Sequence, residues 1–329
     1  MTRPSTRFSR RHALAAAIAL SALALGGPAA AQTYPAKPIT FIVPFAAGSA
    51  TDQLARALGT SITQETKQAV IVDNKAGASG MMAAQAAAKA PADGYTVLIT
   101  TNTTQAANEH LYKKLAYDPV KDFVPVTGLG KGGQVLVVKT ESPYKTVADL
   151  VAKARKEPGK LSFGSGSSSS RVAGEMFKQL THTDILHVPY KSNPNALTDL
   201  LGGQIDFMIT DTATGVPHIK GGKLRALGVS TSKRIAMLPD VPTIDEAGIK
   251  GYDMGYWFAA YVPAGTPAPV ANRLHELLVS GTKNAAAKSF YEGTGSDAWT
   301  TTPDELAKFQ VAESQKWGRV IKAAGIEPE

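Results

Sequence analysis

Short β-branched runs alternate with helical hydrophobic patterns along most of the chain. Residues 39–43 (Ile-Thr-Phe-Ile-Val) read as a strand, and 51–66 as a helix with Leu54, Ala55, Leu58 and Ile62 on one face. A strand at 70–72 precedes an alanine-rich helix at 80–90, closed by Pro91-Ala92-Asp93-Gly94. A strand at 96–100 precedes a short helix at 105–111. The pattern continues with a strand at 135–138 and a helix at 147–156, which ends at Pro158-Gly159. Then come a strand at 161–164, a helix at 172–180 and a strand at 185–188. A helix at 195–201 has Gly202-Gly203 at its C-terminus. Strands at 205–209, 224–229 and 257–262 follow, and helices at 270–283 and 303–324 close the chain.

This alternation predicts a parallel, doubly wound α/β architecture. No repeat of fixed period is present, and the low-complexity stretches are 83–90 and 165–170. A chain of 329 residues accommodates two domains at roughly 150 residues each. The pattern alone fits sequential and interleaved domains equally.

Residues 1–31 carry the pattern of a secretory signal. Arg3, Arg7, Arg10 and Arg11 stand without an acid, and an apolar run from Ala13 to Leu25 is interrupted only by Ser21. Gly26-Gly27-Pro28 then leads to Ala29-Ala30-Ala31, an A-x-A cleavage pattern. The apolar run covers about 20 Å as a helix, short of the roughly 30 Å of a bilayer core. Ser9-Arg10-Arg11 with Leu14 resembles a twin-arginine signal, but Ala13 stands where a bulky apolar residue is usual, so general secretion fits as well. No later stretch is long enough for a membrane span, and no cysteine is present for a lipid anchor.

The signal changes the charge picture. The whole chain is +8, and removing four arginines with residues 1–31 leaves +4 on 298 residues. No Lys/Arg-rich run with interleaved aromatics remains, which argues against a nucleic-acid partner. The absence of cysteine excludes disulfides, zinc–cysteine sites, iron–sulfur clusters and thiol nucleophiles.

Three strand-to-helix junctions carry the candidate chemistry. The first is 44–52, Pro-Phe-Ala-Ala-Gly-Ser-Ala-Thr-Asp, where Ser49 and Asp52 have capping spacing. The second is Thr100-Thr101-Asn102-Thr103-Thr104, and the third runs from Gly164 through Ser165, Ser167, Ser168, Ser169 and Ser170 to Arg171. Small and hydroxyl residues at helix openings expose backbone N–H groups where the helix dipole favours an anion. Ligands of open α/β sheets bind at the carboxyl ends of strands. A carboxylate suits such a site, since each charge-assisted hydrogen bond contributes about 1.5–3 kcal/mol. The same residue types also serve as ordinary caps and turns.

Enzyme motifs are weak or absent. There is no phosphate loop, H-E-x-x-H or nucleophile elbow. S-x-x-K occurs at Ser142–Lys145 and Ser230–Lys233 without the companion S-D-N or K-T-G. His182 and His187 flank a predicted strand on opposite faces, so no metal centre and no cofactor is expected. Asp206 and Asp211 bracket another strand, where a carboxylate more often caps a helix or accepts from a ligand than does acid–base work. Tyr190, Tyr256 and Trp257 are aromatics that could face a ligand or pack in the core.

Several colinear segments together resemble the periplasmic solute-binding receptors of tripartite tricarboxylate transporters, the Bug family. They include Tyr34-Pro-x-Lys37-Pro38-Ile39, Pro44-Phe45-x-x-Gly48-x-x-Thr51-Asp52, Leu111-Tyr112-Lys113-Lys114-Leu115-x-Tyr117-Asp118-Pro119 and His187-Val188-Pro189-Tyr190-Lys191. Ala196-Leu197-Thr198-Asp199-Leu200-Leu201-Gly202-Gly203, Leu238-Pro239-Asp240-Val241-Pro242-Thr243 and Pro263-Ala264-Gly265-Thr266-Pro267 continue the series. The resemblance implies a two-lobed type II periplasmic-binding-protein (Venus flytrap) fold, each lobe a sheet flanked by helices. It implies interleaved lobes, 32–126 with 260–329 and 127–259, with hinges near 124–135 and 256–262. It places a ligand carboxylate at the first loop, through Ala47, Gly48, Ser49, Ala50 and Thr51. Asn102 and Thr103, then Ser165, Ser167, Ser168, Ser169 and Arg171, oppose that loop, and Tyr190 and Asp211 face the cleft from the second lobe. The first loop departs from the family in having Ala46, Ala47 and Ser49 around Gly48, where a second glycine or a proline is common.

The function implied is capture of a small organic anion, a di- or tricarboxylate or an aromatic acid. The receptor would be a periplasmic monomer that delivers its ligand to the membrane subunits of a tripartite transporter. The alternatives are a secreted hydrolase using a serine of the 165–170 run, and a ligand sensor feeding a two-component kinase.

Overall fold

The computed structural model describes residues 34–329, and residues 37–329 form one compact unit. The expected export signal lies outside the described residues. Strand β1 (Ile39–Val43) is followed by α1 (Ala50–Thr66), β2 (Val70–Asn74), a 3-10 turn and α2 (Met81–Ala88). Strand β3 (Thr96–Thr101) leads into a π-helical turn (Thr103–Ala107) and a single turn α3 (Asn108–Leu111). Next come β4 (Phe123–Lys139), α4 (Val147–Lys156), β5 (Ser162–Ser165), α5 (Ser168–Thr181) and β6 (Leu186–Pro189). Helix α6 (Asn193–Gly202), β7 (Phe207–Asp211), α7 (Thr212–Lys220) and β8 (Leu224–Val229) follow. The chain ends with β9 (Gly255–Pro263), α8 (Ala268–Gly281), α9 (Ala285–Thr294) and α10 (Pro303–Ala323).

The strands run in the order β2-β1-β3-β9-β4-β7-β5-β6, with β8 paired to β4. The architecture is the expected α/β one, but the sheet is mixed rather than parallel. Strands β1, β2 and β3 are mutually parallel, as are β5, β6 and β7, whereas β4 and β9 are antiparallel to their neighbours. Strand β4 pairs with β9 as far as Gly133, and from Gln134 it pairs with β7. One long strand therefore belongs to both ends of the sheet.

The buried faces explain why these segments form strands. Ile39, Phe41 and Val43 are buried on one face of β1 and Ile42 on the other, as a strand covered on both faces requires. Phe163, Phe177 and Phe207 pack with ring centroids 5.8 Å apart in each pair that includes Phe207. A second cluster gathers Val135, Val137, Leu197, Leu200, Ile205, Met208 and Val216 beneath α6 and α7. Helix α10 opens with a capping box, Thr302 with Glu305, and Pro303 at its first position. Among the described residues no helix is long and apolar enough to cross a membrane.

Some elements have no clear sequence pattern, for physical reasons. The first half of β4 contains Gly128, Gly130, Gly132 and Gly133, which depress strand propensity. Gly128 is required there, because a Cβ would stand 2.6 Å from the Trp299 ring. Helix α7 contains Gly215 and Pro217, poor helix formers that tertiary packing overrides. The predicted helix at 270–283 ends at Gly281, and Asn284 caps a separate helix α9. The predicted helix at 105–111 is instead a π-helical turn joined to α3.

Candidate ligand-binding site

The carboxyl end of β1 turns sharply through residues 44–49 into α1. Gly48 holds this turn at a φ of 81°, and its N–H donates to Asp52 Oδ2 at 2.9 Å. The Ser49 side chain caps α1 by accepting from the Asp52 N–H. Asp52 is thus cap partner and loop clamp together. It also accepts from Arg56 Nε at 3.1 Å and from Asn74 Nδ2 at 3.0 Å. Burial raises its pKa, but these hydrogen bonds and the Arg56 charge outweigh burial and leave it below the usual carboxylate value.

The β5–α5 junction repeats this construction. The Ser167 side chain caps α5 by accepting from the Ser170 N–H at 3.2 Å. The Gly166 N–H donates to Asn193 Oδ1 at 2.9 Å, and Asn193 Nδ2 donates to Asp211 Oδ2 at 2.7 Å. Asp211 in turn caps α7, accepting from the Thr214 N–H at 2.8 Å and the Thr214 hydroxyl at 2.9 Å. Three helix openings are thereby tied into one wall.

These junctions enclose a cavity of about 30 Å³, room for about two waters. Its lining includes Phe45, Ser49, Ala50 and Thr51 from the β1–α1 junction and Thr101 from β3. Gly166, Ser167 and Ser169 face them, with Asn193, Asp211, Tyr256 and Phe258 completing the walls. Among the described residues, the Ala50 and Thr51 N–H groups at the start of α1 have no acceptor, nor do those of Ser168 and Ser169 at the start of α5. Two helix N-termini of 17 and 14 residues thus open on one cavity, and their dipoles favour negative charge there. No lysine or arginine lines it.

Of the residues singled out from sequence, Ser49, Ala50, Thr51, Ser167, Ser169 and Asp211 line the cavity. Ala47 and Gly48 are exposed and do not line it. Asn102 and Thr103 are fully buried behind the wall, where Asn102 Oδ1 accepts from the Trp257 N–H at 3.4 Å. Among the described residues, Asn102 Nδ2 and Thr103 Oγ1 have no hydrogen-bond partner. Ser168 donates to Asn108 Oδ1 at 2.7 Å, and Ser170 donates to the Ile209 carbonyl. Arg171 pairs with Glu329 at 2.8 Å, and the Tyr190 hydroxyl donates to Asp199 at 2.8 Å. Trp257 is buried, with its indole N–H on Glu313 at 3.1 Å.

Thr101 of the second junction and Tyr256, both named from sequence, also line the cavity, as do Phe45, Gly166, Asn193 and Phe258, which were not singled out. Phe45 and Gly166 sit inside junctions the sequence did mark. Asn193 opens an ordinary-looking helix, and only its two hydrogen bonds reveal its place. Tyr256 lies against Thr212 with hydroxyls 3.2 Å apart, and burial pushes its pKa well above normal, so it stays neutral.

Ser165 stands apart from the cavity lining, with Oγ 2.7 Å from His187 Nε2. The imidazole stacks on Phe163 with centroids 4.9 Å apart. Burial, reinforced by the Arg171 and Lys178 charges, pushes the His187 pKa down to about 4. Among the described residues no group of three potential metal ligands occurs.

The profile of the family described as tripartite tricarboxylate transporter family receptor matches residues 54–326. The fold is similar to that of the periplasmic binding protein BugD, at a TM-score of 0.86 and 31% identity, covering 90% of this chain and 100% of that one. It is equally similar to R. palustris Rpa4515 with adipate, at a TM-score of 0.86 and 34% identity over the same shares of the two chains. MatC (Rpa3494) from Rhodopseudomonas palustris with bound malate matches at a TM-score of 0.83 and 28% identity, covering 88% of this chain and 100% of that one. The chain belongs to the tripartite tricarboxylate transporter receptor family, whose members are periplasmic solute-binding proteins.

Proposed function

We propose that this protein captures a small organic dicarboxylate between two interleaved lobes and delivers it to a tripartite membrane transporter. The observation that carries the reading is the pair of helix N-termini, α1 and α5, opening on one cavity from opposite sides. Each offers two N–H groups without an acceptor among the described residues. One carboxylate at each helix start would use both sets of donors, and Phe45, Tyr256 and Phe258 would flank the methylenes between. Asp211 would accept from a ligand hydroxyl rather than meet a carboxylate. Adipate and malate in the related proteins are both dicarboxylates, which supports this class of ligand.

The lobes of the proposal are residues 32–126 with 260–329 and residues 127–259, and β4 and β9 would carry the hinges. A cavity of about 30 Å³ is far below the 300–1,000 Å³ of ordinary small-ligand sites, so admission of a ligand requires the walls to part. A ligand that contacts both walls then favours the closed arrangement. Micromolar affinity requires about 8 kcal/mol, within reach of four or more charge-assisted hydrogen bonds after ordering costs. The export pattern of residues 1–31 supports a periplasmic location.

The hydrolase reading has one observation in its favour, the Ser165–His187 contact. A base whose pKa lies near 4 is a weak proton acceptor at neutral pH, and the described residues show no carboxylate bonded to the imidazole. We therefore read the protein as a receptor without catalytic activity. A thermal-shift screen of di- and tricarboxylates, aromatic acids and amino acids tests this. A dicarboxylate at 100 times its dissociation constant should add about 2.7 kcal/mol to unfolding free energy. Turnover of an ester with no shift from any acid would sink the reading.

A further inference from the structure

A second concavity, larger than the cavity between the helix starts, shares no lining residue with it. It is an open groove of about 1140 Å³. Its walls come from the β4 segment at Lys131–Gly133, from Lys220 at the end of α7, from the loop after β8, from Thr282 and Lys283 between α8 and α9, and from α9 and the stretch 295–300. Six cations line it: Lys131, Lys220, Lys233, Arg234, Lys283 and Lys288. The acids in the lining are Glu292 and Asp297.

The cations divide by what already holds them. Arg234 pairs with Glu246 at 2.8 Å. Lys131 lies 3.9 Å from the Trp299 ring centroid and 4.2 Å from that of Phe309. Lys220, Lys233, Lys283 and Lys288 are exposed, and none has a carboxylate within ion-pair distance among the described residues. Four ammonium groups on one concave surface repel one another, and a polyanion relieves that repulsion. The groove is also not purely polar, because Ile235, Met237 and Tyr291 line it.

We propose that this groove is a docking site for an acidic peptide segment of a partner protein. The proposal is independent of which acid the inner cavity takes. Its volume exceeds the usual range of small-ligand sites, and its open form suits an extended chain. Carboxylates of the segment would lie against Lys220, Lys233, Lys283 and Lys288. An apolar side chain between them would rest on Ile235 and Met237. Charge complementarity of this kind raises association rates and selects partners, and it weakens as salt rises.

The test uses a fluorescein-labelled twelve-residue peptide of glutamate and aspartate with one central leucine. Anisotropy is read at 20, 150 and 500 mM NaCl. The expected result is binding at 20 mM that weakens at least tenfold by 500 mM. Lys283→Glu/Lys288→Glu and Lys233→Glu should each weaken it at least fivefold, with circular dichroism unchanged. Lys156→Glu/Lys160→Glu, at the far end of α4, should change it less than twofold. Equal losses in the groove and control variants would reduce the effect to net charge and overturn the proposal. So would the absence of binding at 20 mM. Tighter binding of inorganic tripolyphosphate or oligothymidylate to the same lysines would replace it with a different ligand class.

Discussion

Ser168 and Asn108 are both fully buried, and the Ser168 hydroxyl donates to Asn108 Oδ1 across 2.7 Å. Ser168 opens α5 and Asn108 opens α3, so one hydrogen bond joins elements attached to opposite ends of the sheet. Asn108 Nδ2 is already committed to the Ser79 carbonyl at 3.0 Å, which fixes the amide for its partner. Ser168→Ala leaves the Asn108 oxygen buried and unsatisfied, at a cost of about 1–3 kcal/mol. On the proposed two-lobe reading it also favours parted walls. Urea denaturation and small-angle scattering check this: a lower midpoint and a larger unliganded radius are expected. An unchanged radius would show that the bond contributes only to stability.

Asn193 braces the wall from the other side, accepting from Gly166 and donating to Asp211. Asn193→Ala removes both bonds and frees the Gly166 loop. Dicarboxylate affinity is expected to fall at least tenfold by calorimetry, with about 1–3 kcal/mol lost in unfolding free energy. Asn193→Asp cannot donate to Asp211 and places two carboxylates together, so its loss should be at least as large.

Gly166→Ala tests the close approach of two backbones. A Cβ there would stand 1.8 Å from the Ser192 carbonyl carbon and 2.1 Å from the Asn193 nitrogen. Backbone cannot swing aside as a long side chain can, so the β5–α5 junction must shift. Overpacking of this kind costs about 1–3 kcal/mol or more. A drop in melting temperature together with lost ligand binding is expected. Gly48→Ala is the comparison, since nothing lies within 4 Å of its Cβ and only its positive φ opposes it.

Asp52 predicts a pH dependence. Its folded pKa lies below its unfolded value, so its contribution is complete above about pH 4 and is lost as pH falls further. Asp52→Asn should be less stable than the parent protein at pH 7, by about 1–3 kcal/mol for the charged hydrogen bonds. The gap should close below pH 4. Guanidinium midpoints at pH 7, 5 and 3 measure it, and a constant gap would contradict the assignment.

His187 predicts a second, higher window. Its folded pKa is pushed down to about 4 while the unfolded imidazole titrates near 6.5. The folded state resists protonation, so stability present above pH 6.5 is lost progressively toward pH 4. The melting temperature should fall between pH 7.5 and 4.5, and His187→Phe should flatten that fall. The variant should leave no ester hydrolysis to lose, since none is expected from the parent protein.

The candidate site was partly legible because helix openings have a local signature. Ser49 and Ser167 sit six and two residues past the ends of β1 and β5, and each caps the helix that follows. Asp211 could be found for the same reason. Asn193 and Phe258 carry no such signature, because their place depends on neighbours far along the chain. Arg171 and Tyr190 fit the chemistry by type, but each is paired elsewhere, with Glu329 and with Asp199. Residue type does not reveal which partner the fold supplies, whether nine positions away, as for Tyr190, or more than a hundred, as for Arg171.

The sequence by itself determined the α/β alternation, the family and the polar helix openings. Those follow from local periodicity, local capping and colinear motifs. Its charge also changed meaning once residues 1–31 were read as an export signal, with +8 becoming +4. Only the tertiary structure decided that the sheet is mixed, that β4 serves both of its ends, and that α1 and α5 open on one cavity. These depend on pairings such as Gly133 with Gly255 and Gln134 with Asp211, set by packing between distant segments. The basic groove is of the same kind, since its lysines lie far apart in sequence and become one surface only when the chain folds.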